Sequence, residues 1–404
     1  MILNQGRDHV SIPGPSVIPE RVLSAMHRPA PNIYEGEMVD LVNGLFDDLN
    51  HVARSSGDAV MYIGNGHAAW EASLTNTLSR GDTVLALVTG RFTRGWTDQA
   101  EFMGITVENL DFGPDKPVDL AVLLDALKAD KKQRIKAVLT VHTDTASSVC
   151  NDIAGIRGAL DEAGHPALLM VDCIASLACE RFEMDSWGVD VMVAACQKGL
   201  MTPPGLCFTF IGKKAWDFYK DANLKTPYWD WDRRVNGPAF HQKFCGTPPT
   251  HHLYGLREAL DMIIAEGLES VWRRHKILAH AVWAAVDAWG EKGAIQCQVA
   301  DPAERSLAVT TIKTADGEAA AIRQWCADEA GVTLGVGLDL NTAIGGQSSS
   351  LFRIGHMGHL NPPMLMGTLG AADSAMKALG VEHASGALDA ASQVLARMVA
   401  VPAD

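Results

Sequence analysis

Lys198 follows an apolar run, "VMVAA" at 191–195, and precedes the turn-forming residues "GLMTPPG" at 199–205. A charged amine beside such a run is costly to bury unless it is paired or consumed in a bond. An amine in a dry pocket has a lowered pKa and can form a Schiff base with an aldehyde. Lys198 therefore either reaches solvent or takes part in catalysis.

Asp172 ends a second apolar run, "ALLMVD" at 167–172. A carboxylate at the end of a buried strand needs a cationic partner, and a structural salt bridge is the alternative to a functional role. An acid that ends one strand, followed by a lysine after the next, suits pyridoxal phosphate. The acid would keep the pyridine nitrogen protonated, and the lysine would hold the aldehyde.

Two other apolar runs also end in polar residues. Between a strand-like and a helix-like stretch stand Gly64, Asn65, Gly66 and His67. At such a helix start, free backbone N–H groups and the helix dipole suit a phosphate. A plain strand-to-helix turn explains the same residues equally well. The segment "VHTDTASSV" at 141–149 carries hydroxyls and an acid, which fit either a polar ring or an ordinary loop.

The elements that must position these residues alternate along the chain. Apolar runs at 59–64, 83–88, 135–142, 167–172 and 189–195 are separated by helix-like stretches. Runs that are apolar at every position are typical of a mainly parallel sheet covered on both faces, and ligands bind beyond the carboxyl ends of such strands. The fold class predicted is therefore α/β.

The later part of the chain predicts a second, smaller unit. A long helical stretch over about 254–290 precedes a mixture of strand and helix patterns, which indicates a small α+β domain. The Gly- and Ser-rich segment 335–350 is predicted to be an ordered loop or flap. We expect an N-terminal segment at 1–20 that contributes to the active site, a large cofactor-binding domain at 21–265 and a small domain at 266–404.

Composition narrows the possible functions. The chain has 404 residues and a formal net charge of -14, which disfavours nucleic acid and anionic membranes as partners. No stretch resembles a signal peptide or a membrane span. The eight cysteines form no CxxC pair, so we predict a reduced, cytoplasmic protein without a metal site. The tryptophans, Trp70 among them, are expected in the core or at an interface.

Beyond these arguments, the segment 171–205, "VDCIASLACERFEMDSWGVDVMVAACQKGLMTPPG", resembles the core of class V, fold-type I pyridoxal-phosphate aminotransferases. Serine–glyoxylate and alanine–glyoxylate aminotransferases are the most similar subgroup. The likeness continues in "IPGPSVIP", "SLTNTLSRGDTVLA", "GTPPTHHLYGLREAL" and "FRIGHMG". It implies a large, mainly parallel sheet of the seven-stranded type, a small C-terminal domain, and a homodimer or higher homo-oligomer.

The resemblance also implies roles for individual residues. Lys198 is the expected Schiff-base lysine, and Arg353 is expected to bind the substrate α-carboxylate near Gly14. The other residues expected at the cofactor are Asn65, Gly66, His67, Phe92, Thr145, Asp172, Gln197 and, reaching in from the neighbouring subunit, Thr247.

The implied activity is transfer of an amino group from a small amino acid, serine or alanine, to glyoxylate or pyruvate. Tyr34 stands where serine–glyoxylate enzymes carry part of a His-Arg pair that lines the substrate pocket. Glu35, next to it, would disfavour aspartate if it faces the substrate, but it could equally face solvent.

Three alternatives stay open. The first is a pyridoxamine–pyruvate aminotransferase or another enzyme with an unusual donor. The second is a lyase or desulfurase of the same fold, although the segment 335–350 lacks the cysteine that a desulfurase needs. The third is a non-catalytic cofactor-binding protein, which the joint presence of Lys198, Asp172 and Arg353 disfavours.

Overall fold

The structure is a computed structural model that describes residues 4–399. The outermost residues of the predicted N-terminal segment and small domain, 1–3 and 400–404, lie outside this range. Two β-sheets and the helices packed on them make up the described part of the chain.

The strands, in chain order, are β1 (His9–Ser11), β2 (Asp58–Gly64), β3 (Thr83–Val88), β4 (Thr106–Asp111), β5 (Ile135–Val141), β6 (Leu168–Asp172), β7 (Val191–Ala195), β8 (Gly205–Ile211), β9 (Gln296–Cys297), β10 (Val309–Lys313), β11 (Val332–Leu338) and β12 (Gln347–Gly355).

The helices, in chain order, are α1 (Glu20–Met26), α2 (Glu37–Ala53), α3 (Gly66–Thr77), α4 (Arg91–Phe102), α5 (Leu120–Ala129), α6 (Ile153–Glu162), α7 (Lys213–Asp221), α8 (Trp231–Val235), α9 (Thr250–Glu266), α10 (Leu268–Trp289), α11 (Glu318–Ala330), α12 (Pro362–Leu379) and α13 (Ala387–Val399). Two short 3-10 helices lie at Phe240–Phe244 and Pro302–Glu304.

The large sheet has seven strands in the order β2-β8-β7-β6-β5-β3-β4, and β8 runs antiparallel to both of its neighbours. The other neighbouring pairs are parallel. This arrangement confirms the predicted mainly parallel sheet. Because β2, β3, β5, β6 and β7 point the same way, their carboxyl ends meet at one edge.

Both faces of the large sheet are covered, as runs of continuous apolar sequence predict. Leu169 and Val171 of β6 pack on one face, whereas Leu168 and Met170 pack on the other. Strand β4 is not among the predicted strands, because it lies at the edge of the sheet and its side chains are largely exposed. An edge strand lacks the all-apolar pattern that identifies the central strands.

The small sheet has five strands in the order β1-β11-β12-β10-β9, and its own core lies against α10 to α13. Strand β1 pairs parallel with β11, so the start of the chain belongs to this sheet. Helix α9 ends at Gly267, whose φ of 82° favours glycine, and α10 begins directly afterwards. The predicted boundary at 265/266 falls in the last turn of α9 and stays a prediction.

No helix among residues 4–399 is long and apolar enough to cross a membrane. All eight cysteines are free in the structure.

Candidate active site

A cavity of about 200 Å³ opens at the carboxyl ends of the parallel strands. Residues from the ends of β2, β5, β6 and β7 and from the starts of α3 and α4 form its walls. They are Asn65, Gly66, His67, Trp70, Phe92, Thr143, Thr145, Asp172, Ile174, Ala175, Gln197 and Lys198.

One end of the cavity is the N-terminus of α3. The Asn65 side chain caps this helix by accepting a hydrogen bond from the His67 backbone N–H at 3.1 Å. An ideal Cβ on Gly66 would lie 2.2 Å from Ile174 Cδ1, so a larger residue here would force the Ile174 side chain to move. Gln197 also lines the cavity, and its Oε1 atom is buried and has no hydrogen-bond partner among the described residues. A helix N-terminus and unpaired backbone donors suit an anion.

Asp172 lies deeper in the cavity and is only 3% exposed. Its Oδ1 accepts from the Ile174 backbone N–H at 2.6 Å, and its Oδ2 accepts from the Trp70 indole N–H at 2.8 Å. Burial raises the pKa of Asp172 to about 7, although both hydrogen bonds and the charge of Lys198 oppose this rise. The carboxylate therefore lacks a strong cationic partner, and a cation beside it would stabilise its charged form.

Lys198 follows β7, and its amine donates to the carbonyl of Pro13. Burial, helped by the positive charge of Arg353, lowers the pKa of Lys198 to about 8, while Asp172 opposes the shift. An ideal Cβ on Gly14 would lie 2.6 Å from Lys198 Cδ, so glycine leaves the room that the lysine occupies. The N-terminal segment thus reaches the site by way of β1 of the small sheet.

Arg353 of β12 stands next to this cavity and is 7% exposed. Its Nη1 donates to the Thr145 carbonyl at 2.6 Å, and its Nε donates to the Val336 carbonyl at 2.7 Å. Burial lowers the pKa of Arg353 to about 10, and the charge of Asp144 opposes this shift. The side chain stays cationic at neutral pH and is oriented by two backbone carbonyls, which suits recognition of a carboxylate.

Asp144 organises the wall between Arg353 and Phe92. Its fully buried carboxylate accepts three backbone hydrogen bonds, from Phe92 at 2.7 Å, Ala146 at 2.8 Å and Ser147 at 3.0 Å. Asp144 is the acid of the segment 141–149, for which a polar-ring contact and an ordinary loop were both expected. An aspartate followed by small residues is typical of a turn in which the side chain caps the backbone, and that signal points to it.

Most residues expected at the cofactor lie around the one cavity, and Gly14 and Arg353 adjoin it. Tyr34 and Thr247 do not: both are exposed, and neither lines the cavity in the single chain. Their roles stay predictions. Trp70 is buried as expected of a core tryptophan, but its contact with Asp172 adds a role that sequence reasoning missed. Its position one helical turn after Gly66 is the signal that places it on the same face of α3.

Comparison with known proteins gives three informative matches. The aminotransferase class-V family model matches residues 53–345. The serine–glyoxylate aminotransferase of Methylorubrum extorquens is 38% identical over 392 residues, which cover 94% of this chain and 94% of that protein. The L-aspartate–glyoxylate aminotransferase of Paracoccus denitrificans is 35% identical over 388 residues, with 95% of each chain covered.

Among solved structures, pyridoxamine-pyruvate aminotransferase from Mesorhizobium loti matches with a TM-score of 0.89 and 27% identity. The match covers 98% of this chain and 100% of that chain.

Proposed function

Because the chain belongs to the class-V aminotransferase family, we propose that it binds pyridoxal phosphate on Lys198 and moves an amino group from serine or alanine to glyoxylate or pyruvate. The observation that carries this proposal is the meeting of a buried carboxylate, a lysine of lowered pKa and a helix N-terminus in one cavity.

The residues present fit the cofactor. Asp172 is a buried acid whose pKa is raised by burial, so a protonated pyridine nitrogen would supply the cation that it lacks. Gln197 lines the same cavity, and its side-chain amide N–H group is the one that could donate to a phosphate. Gly66 begins α3, whose N-terminus offers backbone N–H groups that suit a phosphate.

Particular residues would hold each part of the cofactor. The N-terminus of α3 at Asn65, Gly66 and His67, together with Gln197, would receive the phosphate. The His67 N–H is shared with the Asn65 side chain, so a phosphate would compete with that cap. Phe92 would cover one face of the ring, and Thr145 would lie near its hydroxyl group.

When bound, pyridoxal phosphate supplies a conjugated electron sink that makes the Cα–H of an attached amino acid acidic. Lys198 would remove that proton with its Nζ and return it elsewhere as general acid. Its lowered pKa suits this work, because an appreciable fraction of the amine is neutral near pH 8. The carbonyl of Pro13 accepts a hydrogen bond from this amine.

Arg353 would fix the substrate by its α-carboxylate. The guanidinium is held in place by the carbonyls of Thr145 and Val336, so little freedom is lost when a substrate binds. Both amino acids and 2-oxo acids carry this carboxylate, and one arginine can therefore serve both halves of the reaction.

The second candidate function is transfer from pyridoxamine to pyruvate. The fold of this chain agrees over 98% of its length with that of a pyridoxamine-pyruvate aminotransferase, which supports this second candidate. In that case the cavity at Asp172 and Lys198 would accept pyridoxamine itself as the donor.

We further propose that the active form is a homodimer. Thr247 is exposed in the single chain, which leaves it accessible for the predicted contact with the neighbour's phosphate. The eight free cysteines support the predicted cytoplasmic location.

Steady-state assays with defined donor and acceptor pairs test the proposal. We expect turnover of serine or alanine with glyoxylate or pyruvate in the presence of pyridoxal phosphate, and none with Lys198→Ala. Turnover of pyridoxamine and pyruvate by the cofactor-free enzyme, without turnover of amino acids, would favour the second candidate. Unchanged turnover by Lys198→Ala would contradict the assignment of the lysine.

A further inference from the structure

Three potential metal ligands meet beside the active-site cavity, and the aminotransferase reaction uses none of them. They are His142 at the end of β5, Cys150 at the end of the following hairpin, and Glu180 after the turn that follows β6. One ligand atom from each, a ring nitrogen, the thiol sulfur and a carboxylate oxygen, lies within 4.8 Å of the other two. We call these residues the His-Cys-Glu cluster.

Glu180 in this cluster is a buried acid without a cation. It is 3% exposed, and no lysine or arginine nitrogen between residues 4 and 399 lies within 4 Å of its carboxylate. Its oxygens accept from the hydroxyls of Thr143 and Ser306 at 2.9 and 2.8 Å and from the Cys150 thiol at 3.3 Å. These neutral donors lower the cost of the charge but do not neutralise it.

His142 provides an independent indication of a missing partner. Its ring is 4% exposed and packs against Phe182 and Trp187. Its Nδ1 atom is buried, yet it has no hydrogen-bond partner in the described part of the chain. A polar atom in such a position costs free energy unless something satisfies it.

The spacing of one ligand pair matches the coordination of zinc, and the third ligand atom lies within 4.8 Å of both. Bonds of 2.0–2.3 Å in a tetrahedral site place neighbouring ligand atoms roughly 3.5 Å apart. The Cys150 sulfur and the Glu180 Oε2 already stand 3.3 Å apart. Three protein ligands and one open position are a common zinc arrangement, and a thiolate selects zinc over magnesium or calcium.

We propose that the His-Cys-Glu cluster binds one Zn²⁺ ion per chain. Binding would release the Cys150 thiol proton to solvent and form one bond each to sulfur, nitrogen and oxygen. The thiolate and the carboxylate together carry two negative charges, which the divalent ion neutralises. The sequence shows no metal-ligand motif here, because the hairpin after β5 and the turn after β6 bring Cys150 and Glu180 to His142 only in the folded chain.

The ion would act on the active site through the hairpin. Backbone pairing of Thr143 with Cys150 closes the hairpin, which carries Asp144 and Thr145. Thr143 also lines the cofactor cavity. Zinc would therefore tie the loop that orients Arg353 to the turn that follows Asp172, and it would stabilise this wall without touching the substrate.

Zinc titration of the chelator-treated holoenzyme, in competition with a chromophoric chelator, tests the site. We expect one Zn²⁺ per wild-type chain, and at least a tenfold loss of affinity in Cys150→Ser and in His142→Gln. Cys245→Ser is the matched control, because Cys245 is an exposed free thiol outside the cluster and its loss should change nothing. A wild-type stoichiometry near zero, or equal affinity in Cys150→Ser, would overturn the proposal.

A measurement on the unaltered chain covers the possibility that these variants fold poorly. Peptide mapping after alkylation should show that Zn²⁺ slows modification of Cys150 at least tenfold and leaves Cys245 unaffected. Equal alkylation of Cys150 with and without zinc would contradict the site even if every variant unfolded.

Discussion

At the scale of single residues, burial brings the pKa values of Asp172 and Lys198 close to each other. It raises the pKa of Asp172 to about 7 and lowers that of Lys198 to about 8. Both shifts come mainly from the loss of water around the charged form. The cavity therefore holds an amine that is far more readily neutral than a surface lysine, and an acid that gains from a cationic partner.

The lowered pKa of Lys198 predicts the pH dependence of cofactor capture. The neutral amine is the nucleophile, so the rate at which stripped enzyme bonds pyridoxal phosphate should rise with pH through about 8 and then level off. Stopped-flow absorbance measures this rate. Arg353→Gln should move the midpoint upward, because the positive charge of Arg353 contributes to the lowering. A wild-type midpoint near 10.5, the ordinary lysine value, would contradict the account.

The hydrogen bond from Trp70 to Asp172 predicts a specific defect. Trp70→Phe keeps an aromatic ring but removes a donor to a charged group, which is worth about 1.5–3 kcal/mol, so kcat/KM should fall about tenfold to a hundredfold.

Trp96→Phe is the matched control for this variant. Trp96 is buried and stacks on Trp70, but its indole N–H has no partner among the described residues. Its replacement should leave kcat/KM close to that of the wild type. Equal effects of the two substitutions would show that ring packing, not the hydrogen bond, matters.

At the scale of elements, the central strands and the residues at their ends follow from the sequence. The apolar runs predict buried strands, and the charged residues that end or follow them, Asp172 and Lys198, predict the position of the site. Local pattern marks Asp144 as a turn residue and places Trp70 on the helix face of Gly66, but it does not predict their contacts with Phe92 and Asp172, which join elements that are distant in sequence. The pairing of β1 with β11, which carries Gly14 to Lys198, is equally invisible to local pattern.

The N-terminal segment therefore predicts an effect of Gly14→Ala. Gly14 has a φ of 110°, and an added methyl group would overlap the Lys198 side chain. The lysine would have to move, and a displacement of this size should lower kcat by about a hundredfold. Steady-state kinetics and thermal unfolding measure the two effects separately.

Gly386→Ala controls for backbone strain alone. Its φ is 102°, and nothing lies within 4 Å of the added carbon. Both variants should lose about 1–3 kcal/mol of stability, but only Gly14→Ala should lose activity. Full activity of Gly14→Ala would show that Lys198 does not depend on this segment.

At the scale of the whole molecule, the single chain leaves two predicted site residues exposed. Tyr34 and Thr247 lie away from the cavity. The family resemblance implies that Thr247 reaches the phosphate of the neighbouring subunit and that Tyr34 lines the substrate pocket, and both roles stay predictions. For Thr247 the predicted role requires the proposed homodimer, because only a neighbouring subunit would bring a phosphate to it.

A mixing experiment tests that condition. Lys198→Ala chains and Thr247→Ala chains should each be nearly inactive with limiting pyridoxal phosphate. Refolded together at equal amounts, they should recover about a quarter of wild-type activity, since half of the dimers then hold one intact site of two. No recovery, with dimers confirmed by sedimentation, would show that Thr247 serves its own chain or none.

In the proposed reaction, a cofactor held by Lys198 accepts an amino group from a small amino acid. The visible absorption of the purified holoenzyme, followed while L-serine, L-alanine, L-aspartate and pyridoxamine are added one at a time without an oxo acid, tests it most directly. We predict that serine or alanine converts the band of the lysine-bound cofactor to that of its amino form, and that glyoxylate or pyruvate restores it. A band that every amino acid leaves unchanged would contradict the claim.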